Sequence, residues 1–132
     1  MIEFVAIRDH GNLDRERVVF RATEAGDVGD YMVYCARSIV KNDGKRQLRN
    51  TIFSTYWFIN KEVNEGDILV LYTKDPGVNY KFKPGREVGI THFFYWKSED
   101  TLWDRGDVAL VFGKLATYQT HFPEISTDDL EP

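Results

Sequence analysis

Three histidines and one cysteine are the side chains of this sequence best suited to nucleophilic, acid–base or zinc chemistry. His10, His92 and His121 lie far apart, and no pair has the i, i+4 or short-loop spacing of zinc ligands. Cys35 has no second cysteine to share a metal or a disulfide, and its surroundings in Tyr31–Ala36 are apolar, which favours a buried structural thiol. The sequence therefore predicts neither a zinc centre nor a cysteine nucleophile.

Carboxylates suited to acid–base chemistry occur only where turns are expected. Asp104 with Asp107, or Glu99 with Asp100, could also suggest calcium, but calcium takes about six or more oxygen ligands and no ligand loop of fixed spacing is present. Neither G-x-x-x-x-G-K-[ST] nor G-x-G-x-x-G, the two phosphate-binding loops, occurs in the chain. No catalytic residue, metal or cofactor is predicted.

The composition is that of one folded domain. The chain has 132 residues, of which 42% are hydrophobic and 14% aromatic, and a net charge of −4 disfavours a general nucleic-acid binder. No apolar run approaches the ~20 residues of a membrane helix. The start, Met1–Phe4, lacks the pattern of a signal peptide, so the sequence predicts a cytoplasmic protein.

Short apolar or alternating runs, bounded by turn residues, recur along the chain and predict an all-β sandwich or barrel, of which we expect the sandwich. Ile68–Tyr72 is apolar at every position, which indicates a central strand covered on both faces. Helical spacing is not sustained anywhere. The predicted strands are Ile2–Arg8, Arg17–Thr23, Tyr31–Arg37, Thr51–Ile59, Ile68–Thr73, Thr91–Trp96, Val108–Phe112 and Leu115–His121.

Turns are predicted from glycine and aspartate chemistry. Gly29-Asp30, Gly66-Asp67 and Gly106-Asp107 each precede a strand, where glycine can take a positive φ and aspartate can accept from nearby amides. Asn42-Asp43-Gly44 is a strong turn signal, and Gly113-Lys114 predicts a tight hairpin. A long insert spans Lys74–Gly89. The domain is expected over residues 1–122, with an acidic, flexible tail over 123–132.

Up-and-down connectivity would collect basic residues at one pole of the sandwich and acidic loops, among them Lys97–Arg105, at the other. We hypothesise that the basic pole binds a protein or nucleic-acid partner; the alternative is that its lysines only solvate loops. The residues assigned to binding are Lys41, Lys45, Arg46, Lys74, Tyr80, Lys81, Phe82, Lys83 and Arg86, and Lys114 falls at the same pole.

The segments Phe58–Thr73, Thr91–Trp96 and Leu102–Leu110 resemble the lamin-tail domain, an immunoglobulin-like β-sandwich. The resemblance extends from Gly29 to Phe112. It implies an antiparallel sandwich of about eight to nine strands and a non-enzymatic module that contacts protein or nucleic acid. It supplies no catalytic residues, and the long insert and the missing coiled-coil rod favour a stand-alone microbial member.

The leading hypothesis is a binding or adaptor module. Trp57, Trp96 and Trp103 are expected to act chiefly as packing anchors, with Trp103 the one most open to solvent. Two other classes of function stay open. A small enzyme would need a concave pocket around His92 with a carboxylate within hydrogen-bond reach. A self-associating protein would use a free sheet edge, such as Leu115–His121.

Overall fold

The computed structural model describes residues 1–77 and 85–124. They form an all-β sandwich of ten strands, one or two more than predicted, with one 3-10 turn at Val28–Asp30. The strands are β1 (Ile2–Arg8), β2 (Arg17–Ala22), β3 (Gly26–Asp27), β4 (Tyr31–Val40), β5 (Arg46–Trp57), β6 (Glu62–Val63), β7 (Ile68–Tyr72), β8 (Arg86–Val88), β9 (Thr91–Tyr95) and β10 (Val108–Lys114).

The larger sheet has five strands in the order β1-β2-β7-β9-β8. The central position predicted for Ile68–Tyr72 is confirmed, since β7 pairs on both sides and its three middle residues are buried. The strands of this sheet pair antiparallel except β7 and β9, which run parallel. The carboxyl ends of β7 and β9 therefore meet at one end of the sheet, which a simple meander would not do.

The second sheet has the order β10-β4-β5, and β3 with β6 forms a small two-stranded ladder. The predicted hairpin at Gly113-Lys114 is wrong: both residues continue β10, opposite Met32 and Tyr31 of β4. Leu115–His121 is not a strand, so it cannot be the self-associating edge that the sequence suggested. In the described chain, β10 and β5 form the edges of this sheet.

The core between the sheets is a run of aromatic rings in edge-to-face contact. Phe20 lies at its centre, 5.2 Å from Phe112 and 6.1 Å from Phe58, measured between ring centroids. Phe58 in turn contacts Phe94 at 4.9 Å, which joins the five-stranded sheet to the segment after β5. Such contacts add to the hydrophobic gain from removing these large rings from water.

A buried carboxylate accepts hydrogen bonds from three segments of the chain at one end of this core. Glu16 is fully buried and accepts hydrogen bonds from the amides of Gly11, Leu102 and Trp103 and from the hydroxyl of Thr73. Nothing in the local sequence signals this role, because the four donors come from positions scattered over most of the chain.

Candidate functional site

The hairpin that joins β4 to β5 is built by local sequence. Gly44 has φ +80° and donates its amide to the Lys41 carbonyl at 2.9 Å, and Asp43 Oδ1 accepts from the Lys45 amide. These are the roles that glycine and aspartate favour in turns, so the predicted turn at Asn42-Asp43-Gly44 is confirmed. The ladder with β10 reaches only as far as Arg37, and the rest of the hairpin extends beyond it.

This hairpin concentrates positive charge in an acidic protein. Residues 37–50 carry five cations and one carboxylate, hence +4, whereas the whole chain carries −4. Lys41, Lys45 and Arg49 are exposed, and within residues 1–77 and 85–124 none of them pairs with a carboxylate. Arg46 is instead held by the Gly106 carbonyl and the Ser38 hydroxyl. The local field around the hairpin therefore attracts anions.

The exposed apolar side chains of Leu48 and Ile52 project from the opposite face of the hairpin. Leu48 pairs with Ser38 and Ile52 with Ala36, whereas Lys45 and Arg49 alternate with Leu48 along the strand. Between Ala36 and Ser38 the register shifts, so that residues 49–51 of β5 stand opposite one residue of β4. Such a bulge re-aims side chains. Leu48 and Ile52, on either side of it, are each about half exposed (51% and 55%).

Two shallow depressions lie along the hairpin and share Arg49. One, of about 280 Å³, has an apolar floor formed by Tyr34, Ala36, Ile52 and Val111. The other, of about 460 Å³, lies at the hairpin tip. Its lining residues include Ile39, Val40, Lys41 and Gln47. We name the face that carries Lys41, Lys45 and Arg49 the hairpin surface.

The structure brings together only part of the predicted basic pole. Lys41, Lys45 and Arg46 share the hairpin, but Lys74 follows β7 in the other sheet, where it forms an ion pair with Asp14. Arg86 lies on β8 of that sheet. Tyr80, Lys81, Phe82 and Lys83 lie outside the described residues.

The predicted separation of basic and acidic poles is wrong. The Lys97 amide donates to the Lys74 carbonyl, so the loop assigned to the acidic pole touches a residue assigned to the basic one. Lys114 pairs with Tyr31, at the opposite end of β4 from Lys41. The physical reason is the parallel pairing of β7 with β9, which places the segments that follow both strands at the same end.

The tryptophans also differ from the prediction. Trp103, expected to be the most exposed, is only 7% exposed and packs edge-on against Trp96. Trp57 is the exposed one, at 47%, although its indole N–H donates to the Gly29 carbonyl. Its ring contacts that of Tyr118. Glu16 fixes the backbone here by accepting from the amides of Leu102 and Trp103, a long-range contact that the local sequence does not signal.

The structural roles predicted for Cys35 and His92 are confirmed. Cys35 is buried, and burial raises the pKa of its thiol to about 11, so little thiolate forms near neutral pH. His92 is 1% exposed, with Nε2 2.7 Å from Asp67 Oδ2 and Nδ1 3.6 Å from Glu87. The enzyme alternative requires a concave pocket around His92; the carboxylate is within reach, but the ring is buried.

The ionisation of Asp67 makes the stability contributed by the Asp67–His92 pair depend on pH. Hydrogen bonds from the Asn64 amide and from His92 hold the pKa of Asp67 below its ordinary value of 3.8. Its stabilising effect is therefore complete above about pH 4 and is lost as the pH falls through the lower folded-state pKa. We expect urea denaturation to show that Asp67→Asn costs more stability at pH 7 than at pH 3. An equal cost at both pH values would contradict this.

The sequence prediction does not include Leu48, Arg49 or Ile52. Arg46–Asn50 precedes the predicted strand Thr51–Ile59, and only the structure shows that β5 begins at Arg46. The sequence does indicate a positively charged segment here, because no acidic residue lies between Lys45, Arg46 and Arg49. The bulge at residues 49–51 has no sequence signature.

No family model matches the chain, and no curated protein is found as a relative. In the part of the chain that the structure describes, no three His, Cys, Asp or Glu side chains group as metal ligands. None of the described elements is a helix long and apolar enough to cross a membrane.

Proposed function

We propose that this protein is a non-enzymatic binding module that contacts an anionic macromolecule through the hairpin surface. The observation that carries the proposal is the set of three exposed cations, Lys41, Lys45 and Arg49, that have no carboxylate partner within the described residues. Elsewhere, Arg17, Arg21 and Arg105 are paired with carboxylates. Other exposed cations without an ion pair in the described residues, such as Arg8, Lys97 and Lys114, lie on separate elements rather than together on one hairpin. Unpaired charge on an extended hairpin is available to a partner.

Two further considerations support this function. The hairpin is a paired ladder from Ser38 and Leu48 to Val40 and Arg46 rather than an unpaired loop, and such ordering before binding lowers the entropic cost of binding. The resemblance to lamin-tail domains implies the same class of function, contact with protein or nucleic acid. Membership of that family and a cytoplasmic location remain predictions.

Charge reversal tests the proposal. The triple variant Lys41→Glu, Lys45→Glu, Arg49→Glu is compared with Arg8→Glu, Lys97→Glu, Lys114→Glu, which changes the net charge equally at exposed positions away from the hairpin. Binding of fluorescent polyglutamate and of double-stranded DNA is followed by anisotropy at low and at physiological salt. We expect the hairpin variant to bind at least about tenfold more weakly than wild type, and the control within about twofold.

An equal loss in both variants would mean that overall charge, rather than this surface, attracts the polymer. Wild-type protein that binds neither polymer at low salt would also overturn the proposal. Thermal melting of both variants confirms that the fold is intact.

A further inference from the structure

The outer face of the sheet β10-β4-β5 is built from apolar side chains. In β4, Val33 and Cys35 lie in the core, so the alternate residues of this strand, and the residues paired with them, lie on the opposite face. We name this surface the apolar face, and its larger or central members are Met32, Tyr34, Ala36, Ile52, Trp57 and Val111.

Charged side chains are nearly missing from the apolar face, although 29% of the residues in the chain are charged. β4, β5 and β10 are described in full, and of the residues that their pairing places on this face only Arg46 carries a charge. Arg46 donates to the Gly106 carbonyl and the Ser38 hydroxyl. An antiparallel sheet with one face in water normally shows polar residues on that face. The composition of β4 is therefore that of a strand covered on both sides.

The apolar face is nevertheless open in the single chain. Ile52 and Trp57 are each about half exposed. The depression of about 280 Å³ lies on this face, where Tyr34, Ile52 and Val111 are among its lining residues, and the bulge residue Arg49 also borders it. Contiguous exposed apolar surface of this kind marks a site of contact with another molecule.

β4 joins two segments of opposite charge, and this identifies the molecule. Residues 24–30, which lead into β4, carry the carboxylates of Glu24, Asp27 and Asp30 and no cation, whereas residues 37–50 at its other end carry +4. The ends of this ten-residue strand are about 30 Å apart. A second copy laid on the apolar face with its strands antiparallel brings a basic hairpin over an acidic segment at both ends. With parallel strands, the two hairpins would meet and repel.

We propose that the apolar face binds a second copy of the chain, sheet against sheet, with the strands of the two copies antiparallel. The contact is isologous, so each copy covers Ile52 and Trp57 of the other and lays its hairpin over residues 24–30 of the other. Lys41, Lys45 and Arg49 project from the opposite face of the hairpin. The hairpin surface therefore stays accessible in the dimer, and the proposal does not depend on the proposed function.

The contact uses the face of the sheet rather than its edge. The ladder of β5 with β4 is interrupted at Phe53 and at residues 49–51, and such irregularities protect an edge strand from strand addition. A face that is almost free of charge packs on its own copy with little unpaired charge to bury. Three strands about 4.8 Å apart give a narrow contact at the low end of specific interfaces, so we expect a dissociation constant of about 10–100 µM.

Sedimentation velocity of the full chain from about 5 to 500 µM tests the proposal, a range chosen around that dissociation constant. Ile52→Lys places a charge at the centre of the contact and should weaken dimerisation at least about tenfold. The matched control is Ile90→Lys, the same change at a similarly exposed position (60%) between β8 and β9. The control should dimerise within about twofold of wild type. Thermal melting shows that both variants are folded.

A charge swap tests the antiparallel arrangement. Glu24→Lys with Asp30→Lys should weaken dimerisation at least about tenfold, and so should Lys41→Glu, Lys45→Glu, Arg49→Glu, because each set leaves like charges facing each other within about a Debye length. Combining the two sets exchanges the charges of the two ends and should restore the dimer. The combined variant has no basic hairpin for an anionic polymer, so dimerisation and the proposed function are measured separately.

Each other outcome overturns the proposal. A wild-type chain that stays monomeric over the whole concentration range has no second copy on this face. A dimer that persists in Ile52→Lys uses another surface, and equal loss in Ile52→Lys and Ile90→Lys traces the effect to net charge. A dimer that is lost in Ile52→Lys but is indifferent to both charge sets rejects the antiparallel arrangement.

Discussion

Replacing Glu16 by alanine is expected to lower the free energy of unfolding by about 3–5 kcal/mol, a large fraction of the stability of a domain this size. The substitution leaves the amides of Gly11, Leu102 and Trp103 without their acceptor in a buried place. Each unsatisfied buried donor costs about 1–3 kcal/mol, and partial relaxation keeps the total below the sum. Urea denaturation measures the effect.

Glutamine at this position is the informative second variant. Oε1 of Glu16 accepts from Gly11 and Trp103, and Oε2 accepts from Thr73 and Leu102. A glutamine amide keeps one accepting oxygen and turns an NH2 group toward the other two donors, so Glu16→Gln should lie between wild type and Glu16→Ala. Glu24→Ala, at an exposed position, is the control. A Glu16→Ala variant as stable as Glu24→Ala would show that the loops do not depend on this carboxylate.

The second large effect is expected at the centre of the aromatic core. Phe20→Ala should destabilise the protein by about 3–5 kcal/mol, because it removes a fully buried ring and leaves a cavity that its neighbours only partly fill. Rings on both sides of the core, Phe58 and Phe112, lose their edge-to-face partner at once. Thermal and urea denaturation provide the measurement.

Phe122→Ala is the matched control, since the same side chain is 87% exposed there. It should change the free energy of unfolding by less than about 0.5 kcal/mol. Phe20→Leu, which keeps most of the volume, should cost clearly less than Phe20→Ala. A Phe20→Ala protein that unfolds at the same urea concentration as Phe122→Ala would mean that this ring does not join the two sheets.

The glycine–aspartate turns show which backbone features can be predicted from neighbouring residues alone and which cannot. At Gly66 the expected positive φ is present (+87°), and Asp67 accepts from the Asn64 amide as predicted. Gly29 has no positive φ; glycine is needed there because a Cβ would lie 1.9 Å from the side-chain oxygen of Asn60. The same residue type is therefore required for a local reason at one site and a long-range reason at the other.

The sequence by itself determined the all-β class, the central strand Ile68–Tyr72, the turn at Asn42-Asp43-Gly44 and the burial of Cys35. These follow from alternation, run length and turn chemistry, which act over a few neighbouring residues. Only the tertiary structure decided that β7 and β9 run parallel, that Gly113-Lys114 stays in a strand, and that Trp103 is covered. Each of these depends on pairing between distant segments, and the energy of such pairing is not encoded in any short window of sequence.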